Sequence, residues 1–151
     1  FAYTLVTNEV LSAIKTVGLD PYLGALHEEE YGRPSLACDL AEEYRCFIAD
    51  RLVLGIVNRR RITPEDFVYR GKPPAEFTDE EEMRRRRPVE MKPAVCKAFI
   101  ASYEETMRRS IFYPPLSKKV NLRWLIVNQV RRFADSLEHP EKGYQPFVWE
   151  A

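Results

Sequence analysis

The sequence predicts a mainly α, bundle-like domain with one small β-hairpin, and three observations predict it. Apolar residues recur every three to four positions in four separate stretches. Proline, glycine and asparagine stand where those stretches should begin and end. Only two short runs, Phe67-Val68-Tyr69 and Val89-Glu90-Met91, have strand-like composition. At 151 residues and 45% apolar content, a single domain spanning residues 1–151 can close a real core.

The first helix runs from Ala2 to Thr16. Leu5, Val6, Val10, Ile14 and Val17 form its apolar face, and Gly18 suits a left-handed cap. Asp20 and Pro21 then read as the cap and first turn of a short helix, with His27 at the end of that element. Residues 28–33 form a polar loop. The longest periodic stretch follows, from Pro34 to about Asn58, and its buried face includes Leu36, Leu40, Phe47 and Leu54. Thr63-Pro64-Glu65-Asp66 signals a short turn with a capping threonine. The two strand-like runs flank an insertion, Arg70 to Pro88, where Thr78 and Glu81 suggest a brief charged helix. A further helix is expected from Pro93 to about Ile111, carrying Val95, Phe99, Ile100, Tyr103 and Met107 on one side. Pro114-Pro115 ends that region. Asn121 caps a last helix from Leu122 to about Leu137, and the aromatic tail Tyr144 to Trp149 should pack back on the body.

Net charge is zero, so no global field advertises a nucleic-acid binder. The charges are nevertheless clustered, at Arg59-Arg60-Arg61, Arg84 to Arg87, Lys118-Lys119 and Arg131-Arg132. Three cysteines without paired spacing argue against a disulfide framework and for a reducing, cytoplasmic compartment. No apolar run is long enough to span a bilayer, so no membrane partner is expected. The start at Phe1 reads as an internal fragment.

The candidate site is His27 together with Asp39 and Glu42. Histidine and carboxylates are the donor types of a divalent-metal site, and Arg33 lies in the loop between them. On a 3.6-residue period Asp39, Glu42, Glu43, Cys46 and Asp50 share one face. Asp39 and Glu42 are one turn apart and can meet one ion. Asp50 lies about 16 Å beyond Asp39 along the axis and cannot. Each of these has an ordinary structural reading as well. A lone histidine is most often hydrogen-bonded, and helix-face acids are often merely solvated. Arg84 to Arg87 can pair with the preceding acids, and Arg59 to Arg61 favour a helix C-terminus. The cysteines read as small core residues. His139, before Pro140, is assigned no role.

The run from Gly18 to Asn58 also carries a resemblance. It holds Gly18-Leu19-Asp20-Pro21-Tyr22-Leu23-Gly24, Leu26-His27, Gly32-Arg33-Pro34-Ser35-Leu36-Ala37-Cys38-Asp39-Leu40, Glu42-Glu43-Tyr44-Arg45 and Asp50-Arg51-Leu52-Val53. With Leu122-Arg123-Trp124-Leu125-Ile126, Gln129-Val130-Arg131 and Tyr144-Gln145-Pro146-Phe147 downstream, it resembles the C-terminal helical catalytic domain of the first CRISPR-associated protein family. That family comprises the endonuclease-integrases of spacer acquisition. The resemblance implies insertion of prespacer DNA into the repeat array, by attack of a 3′ hydroxyl on a phosphodiester. It also implies a homodimer flanking the small second CRISPR-associated protein, and a manganese or magnesium ion. His27 and Glu42 fall on the family's ligands, and Asp39 on an acid some relatives carry beside them. Arg33, Arg45, Arg59, Arg60 and Arg123 are the expected DNA contacts.

Two features depart from the family pattern. Cys46 stands where relatives usually have proline. No Gly-x-Glu-Gly-like stretch precedes His27, and the family's N-terminal β-domain is absent from this chain. The third ligand is therefore expected from sequence before Phe1, with the fragment inactive by itself. The alternative is a non-catalytic helical module that dimerises and binds DNA.

Overall fold

The computed structural model describes residues 1–24, 32–69 and 89–149. Helix α1 spans Ala2–Val17 and ends as its glycine demands. Gly18 takes φ 94°, and its N–H reaches the carbonyls of Ile14 at 3.1 Å and Lys15 at 3.2 Å. That left-handed turn has little cost without a Cβ. Leu19 N–H also returns to Ile14, so two amides close the helix end.

Residues 21–24, expected to open a short helix after Asp20, form a turn instead, and the rest of that element lies outside the described residues. The cause of the turn is local: the Asp20 carboxylate accepts the Tyr22 N–H at 2.9 Å, which satisfies that amide without helix. The Leu36 N–H donates to the Pro21 carbonyl at 3.0 Å and ties this turn to the next helix.

Residues 35–58 form one rod with an interruption. Helix α2 spans Ser35–Tyr44, a wider π turn spans Arg45–Asp50, and α3 spans Arg51–Asn58. A π turn places an extra residue in the ladder and changes the phase of every side chain beyond it. Leu36 and Leu40 are buried as the period requires. Within the π turn the buried positions are Ile48 and Ala49, and beyond it Ile56. Leu54, expected inside, is 58% exposed.

Thr63 and Asp66 close a reciprocal capping box around a single 3₁₀ turn, Pro64–Asp66. Strand β1 (Phe67–Tyr69) pairs antiparallel with β2 (Val89–Met91), as their composition suggested. The expected helix at Thr78 and Glu81 lies outside the described residues. Helix α4 spans Pro93–Arg108, three residues short of Ile111. Arg109 is extended, and Ser110–Tyr113 forms β3, paired antiparallel with β4 (Lys118–Asn121) around Pro114-Pro115. This second hairpin replaces the last turn of the expected helix. Helix α5 spans Leu122–Glu138, and the Asn121 side chain caps it by accepting the Trp124 N–H at 2.8 Å.

Helix α1 packs against both α2 and α5. Val6, Val10, Ile14, Leu36, Leu40, Leu125, Ile126 and Val130 meet in that core. Tyr103 of α4 donates from its hydroxyl to the Leu5 carbonyl of α1 at 3.2 Å. All three cysteines are free thiols. Cys38 and Cys96 are half-buried, but Cys46 is exposed, so it is not the core residue its size suggested. Among the described residues, no helix is long and apolar enough to cross a membrane.

Candidate active site

The sequence-derived site lies on and around α2. His27 falls outside the described residues, so its position relative to the acids is not described. The flanks of its segment are fixed. Pro21 is bonded to Leu36, and Gly32, with φ 78°, makes a left-handed turn one residue before Arg33. Arg33 is half-buried.

Asp39 and Glu42 sit one turn apart on α2, about 4.5 Å along its axis. Their environments differ. Asp39 is 8% exposed, whereas Glu42 is exposed. Glu42 Oε1 pairs with the guanidinium of Arg45 at 2.7 Å. No described residue bonds the other Glu42 oxygen, Oε2. Arg45 also stands over the Tyr3 ring, 5.3 Å from its centroid, and its buried Nε has no hydrogen-bond partner among the described residues. Asp50, the last residue of the π turn, accepts the Tyr3 hydroxyl at 2.6 Å.

Divalent metal chemistry is compatible with this donor set. One carboxylate oxygen of exposed Glu42, without a partner among the described residues, lies a turn from the buried carboxylate of Asp39, and hard cations take such oxygens. Among the described residues no three histidine, cysteine or acidic side chains form a metal-sized cluster.

Sequence reasoning put Glu43 on the face of Asp39 and Glu42 and missed its role in holding the tail. Glu43 points from α2 to the C-terminal tail, where it accepts the Tyr144 hydroxyl and, at 2.7 Å, the Phe147 N–H. Burial pushes the Glu43 carboxyl upward, and those hydrogen bonds hold part of the rise back. Burial likewise raises the Tyr144 and Tyr44 hydroxyls. Beside this clasp, fully buried Gln129 accepts the Tyr113 hydroxyl at 2.6 Å and donates to the Gln145 carbonyl at 2.7 Å. Tyr44 and Phe47 stack or tilt against Phe147. The tail therefore braces the helix that bears the acids. The one sequence signal for it was the aromatic composition of residues 144–149.

The expected DNA contacts separate into three places. Arg33 and Arg45 flank the acids. Arg59 and Arg60 follow α3, about 25 Å beyond Glu42 along the rod. Arg123 is on α5, where its guanidinium binds Glu9 at 2.6 Å and Glu104 at 3.0 Å. The two carboxylates hold its charge firmly in place.

This arrangement of helices recurs in proteins of known identity. The chain superposes on a casposase bound to integration product with a TM-score of 0.75 at 27% identity, covering 97% of this chain and 35% of that one. A Cas1 protein from Thermotoga maritima gives a TM-score of 0.73 at 30% identity, covering 97% of this chain and 39% of that one. In sequence, a CRISPR-associated endonuclease Cas1 of Leptospira interrogans is 41% identical over 150 residues, which is 99% of this chain and 53% of the relative. The family described as "CRISPR associated protein Cas1" matches residues 1–105, and the chain belongs to that family. The chain spans about half, or less, of the length of the curated relatives it matches.

Proposed function

We propose that this chain is the acid-bearing helical part of a metal-dependent DNA endonuclease and integrase of CRISPR adaptation. The observation that carries the reading is the pair Asp39 and Glu42, one turn apart on the helix that follows His27. That helix belongs to a fold shared with a casposase bound to integration product. His27 and Glu42 would hold a manganese or magnesium ion, with Asp39 supporting or sharing it. Such an ion lowers the pKa of an attacking hydroxyl and neutralises the phosphate. Imidazole among the donors leans toward manganese.

The chain's own residues do the positioning. Arg45 fixes the rotamer of Glu42 through Oε1 and leaves Oε2 presented. The Glu43 clasp to Tyr144 and Phe147 holds α2 in its rotation about the axis. Arg33, at the entrance to α2, is placed to meet a phosphate, because its planar fork suits bidentate contact. The proposed DNA substrates are a prespacer duplex and the repeat array. The working assembly is a homodimer with the small second CRISPR-associated protein, acting in the cytoplasm.

Strand transfer tests the proposal. The chain is grafted in place of the matching segment of the Leptospira relative and given a labelled duplex with free 3′ ends and a repeat-bearing plasmid. The graft should join the two. His27→Ala and Glu42→Ala in the graft should abolish joining, while retention of the duplex on a filter persists. Joining that survives both substitutions would overturn the assignment.

A further inference from the structure

The π turn in the α2–α3 rod begins at Arg45 and ends at Asp50. Residues five apart on an α-helix point about 140° apart around the axis. The wider turn, closed by hydrogen bonds between residues five apart, brings such a pair round toward one side. Here both ends meet one side chain, Tyr3, in the first turn of α1. The Asp50 carboxylate accepts the Tyr3 hydroxyl at 2.6 Å, and the Arg45 guanidinium stands over the Tyr3 ring, 5.3 Å from its centroid. The start of α1 is pinned in turn, since the Phe1 ring packs on Phe99 of α4 with centroids 5.4 Å apart.

Arg45 needs this support. Its guanidinium pairs with Glu42 Oε1 at 2.7 Å, three residues back along the chain. Ion pairs between solvent-facing side chains at that spacing hold weakly, because two long chains give up rotamer freedom for a screened contact. The Arg45 Nε is buried and has no hydrogen-bond partner among the described residues, so that atom adds no hold. The face of the Tyr3 ring supplies one, through the attraction of a cation for a π cloud.

We propose that Tyr3 is a positioning residue for Glu42, acting through Arg45. The ring, anchored at its hydroxyl by Asp50, keeps the guanidinium where it takes Glu42 Oε1 and leaves Oε2 presented to a divalent ion. The carboxylate is then ordered before the ion arrives. Partners that orient a metal ligand are typically worth about 10–100-fold in metal affinity. The assignment rests on the metal-site reading above and extends it to α1 and the π turn. A tie that merely fastened α1 to the rod would change stability and leave metal affinity alone.

Two measurements on the whole chain test this. Without metal, the Arg45 Nε–H should give a slowly exchanging, ring-shifted signal in the proton–nitrogen NMR spectrum, identified by its loss in Arg45→Lys. Tyr3→Leu should move that signal toward the position of a solvated arginine, and Tyr3→Phe, which keeps the ring, should largely preserve it. A signal insensitive to Tyr3→Leu would overturn the contact directly. In calorimetric titration with manganese, Tyr3→Leu should weaken binding about tenfold and Tyr3→Phe about threefold or less. Arg45→Met should weaken it about tenfold as well, and adding Tyr3→Leu to Arg45→Met should cost nothing further. Unchanged affinity in Tyr3→Leu, beside a site lost in Glu42→Ala, would overturn the role of Tyr3 and leave the metal site standing. A further tenfold loss from Tyr3→Leu in the Arg45→Met background would mean another route, and tighter binding in Arg45→Met would mean that the cation only repels the ion. Either result overturns the proposal. Affinity unchanged in Glu42→Ala would overturn the metal site itself, and this role with it.

Discussion

The Glu43 carboxylate accepts a hydrogen bond from the hydroxyl of Tyr144, 101 residues further along the chain. Glu43 is next to Glu42, so this one contact joins the tail to the helix bearing the candidate metal ligands. A half-buried carboxylate that loses a donor keeps its desolvation cost and loses the offset. Tyr144→Phe should therefore destabilise the fold by about 2 kcal/mol. Urea unfolding with an unchanged m-value would register it. No change in the midpoint would mean that the Phe147 N–H alone satisfies the charge.

Gln129 is a second joint in the same region and is more deeply buried. Gln129→Leu keeps the volume but orphans the Tyr113 hydroxyl and the Gln145 carbonyl together. Losing one buried and one part-buried partner should cost about 2 kcal/mol. Limited proteolysis should also cut the tail after Leu137 sooner than in the parent. Parent-like protection would show that the aromatic contacts of Phe147 hold the tail unaided.

Arg123 is committed to Glu9 and Glu104, which bind α5 to α1 and α4. The Arg123 side chain is 41% exposed, so solvent screens the gain. A double-mutant cycle of Arg123→Gln with Glu9→Gln should give a coupling of about 1 kcal/mol or less, measured by thermal or urea unfolding. Arg123→Gln should alter stability more than oligonucleotide affinity. The reverse order would return Arg123 to the DNA contacts that the family resemblance implied.

Arg60 offers a gain in stability. Arg60 follows the cap of α3 with φ 52°, so Arg60→Gly relieves a left-handed backbone and should stabilise the protein by about 1 kcal/mol. The expected readout is a raised melting temperature. A lower melting temperature would mean that Arg60 makes a stabilising contact whose loss outweighs the relief.

Much of this fold is written in short-range pattern. The apolar faces of α1 and α5, the Gly18 and Asn121 caps and the Thr63 capping box depend on neighbours within four residues. The one-turn spacing of Asp39 and Glu42 was legible for the same reason. Leu54 was misplaced because a uniform 3.6-residue period cannot anticipate the π turn at Arg45–Asp50. Ile111 looked helical because the apolar run of Ser110–Tyr113 continues the preceding spacing. Its strand exists through pairing with Lys118–Asn121, across a proline turn. The role of Glu43 was invisible because its partners lie in the tail. Arg123 was read as a DNA contact, and its pairing with Glu9 was invisible because Glu9 is 114 residues away.

The central claim is that His27 and Glu42 bind one divalent ion. Manganese titration of the whole chain by isothermal calorimetry tests it most directly. The account predicts one site per chain, lost in both His27→Ala and Glu42→Ala and weakened in Asp39→Asn, with unfolding curves of the variants near that of the parent. Manganese affinity unchanged by His27→Ala and Glu42→Ala would contradict it.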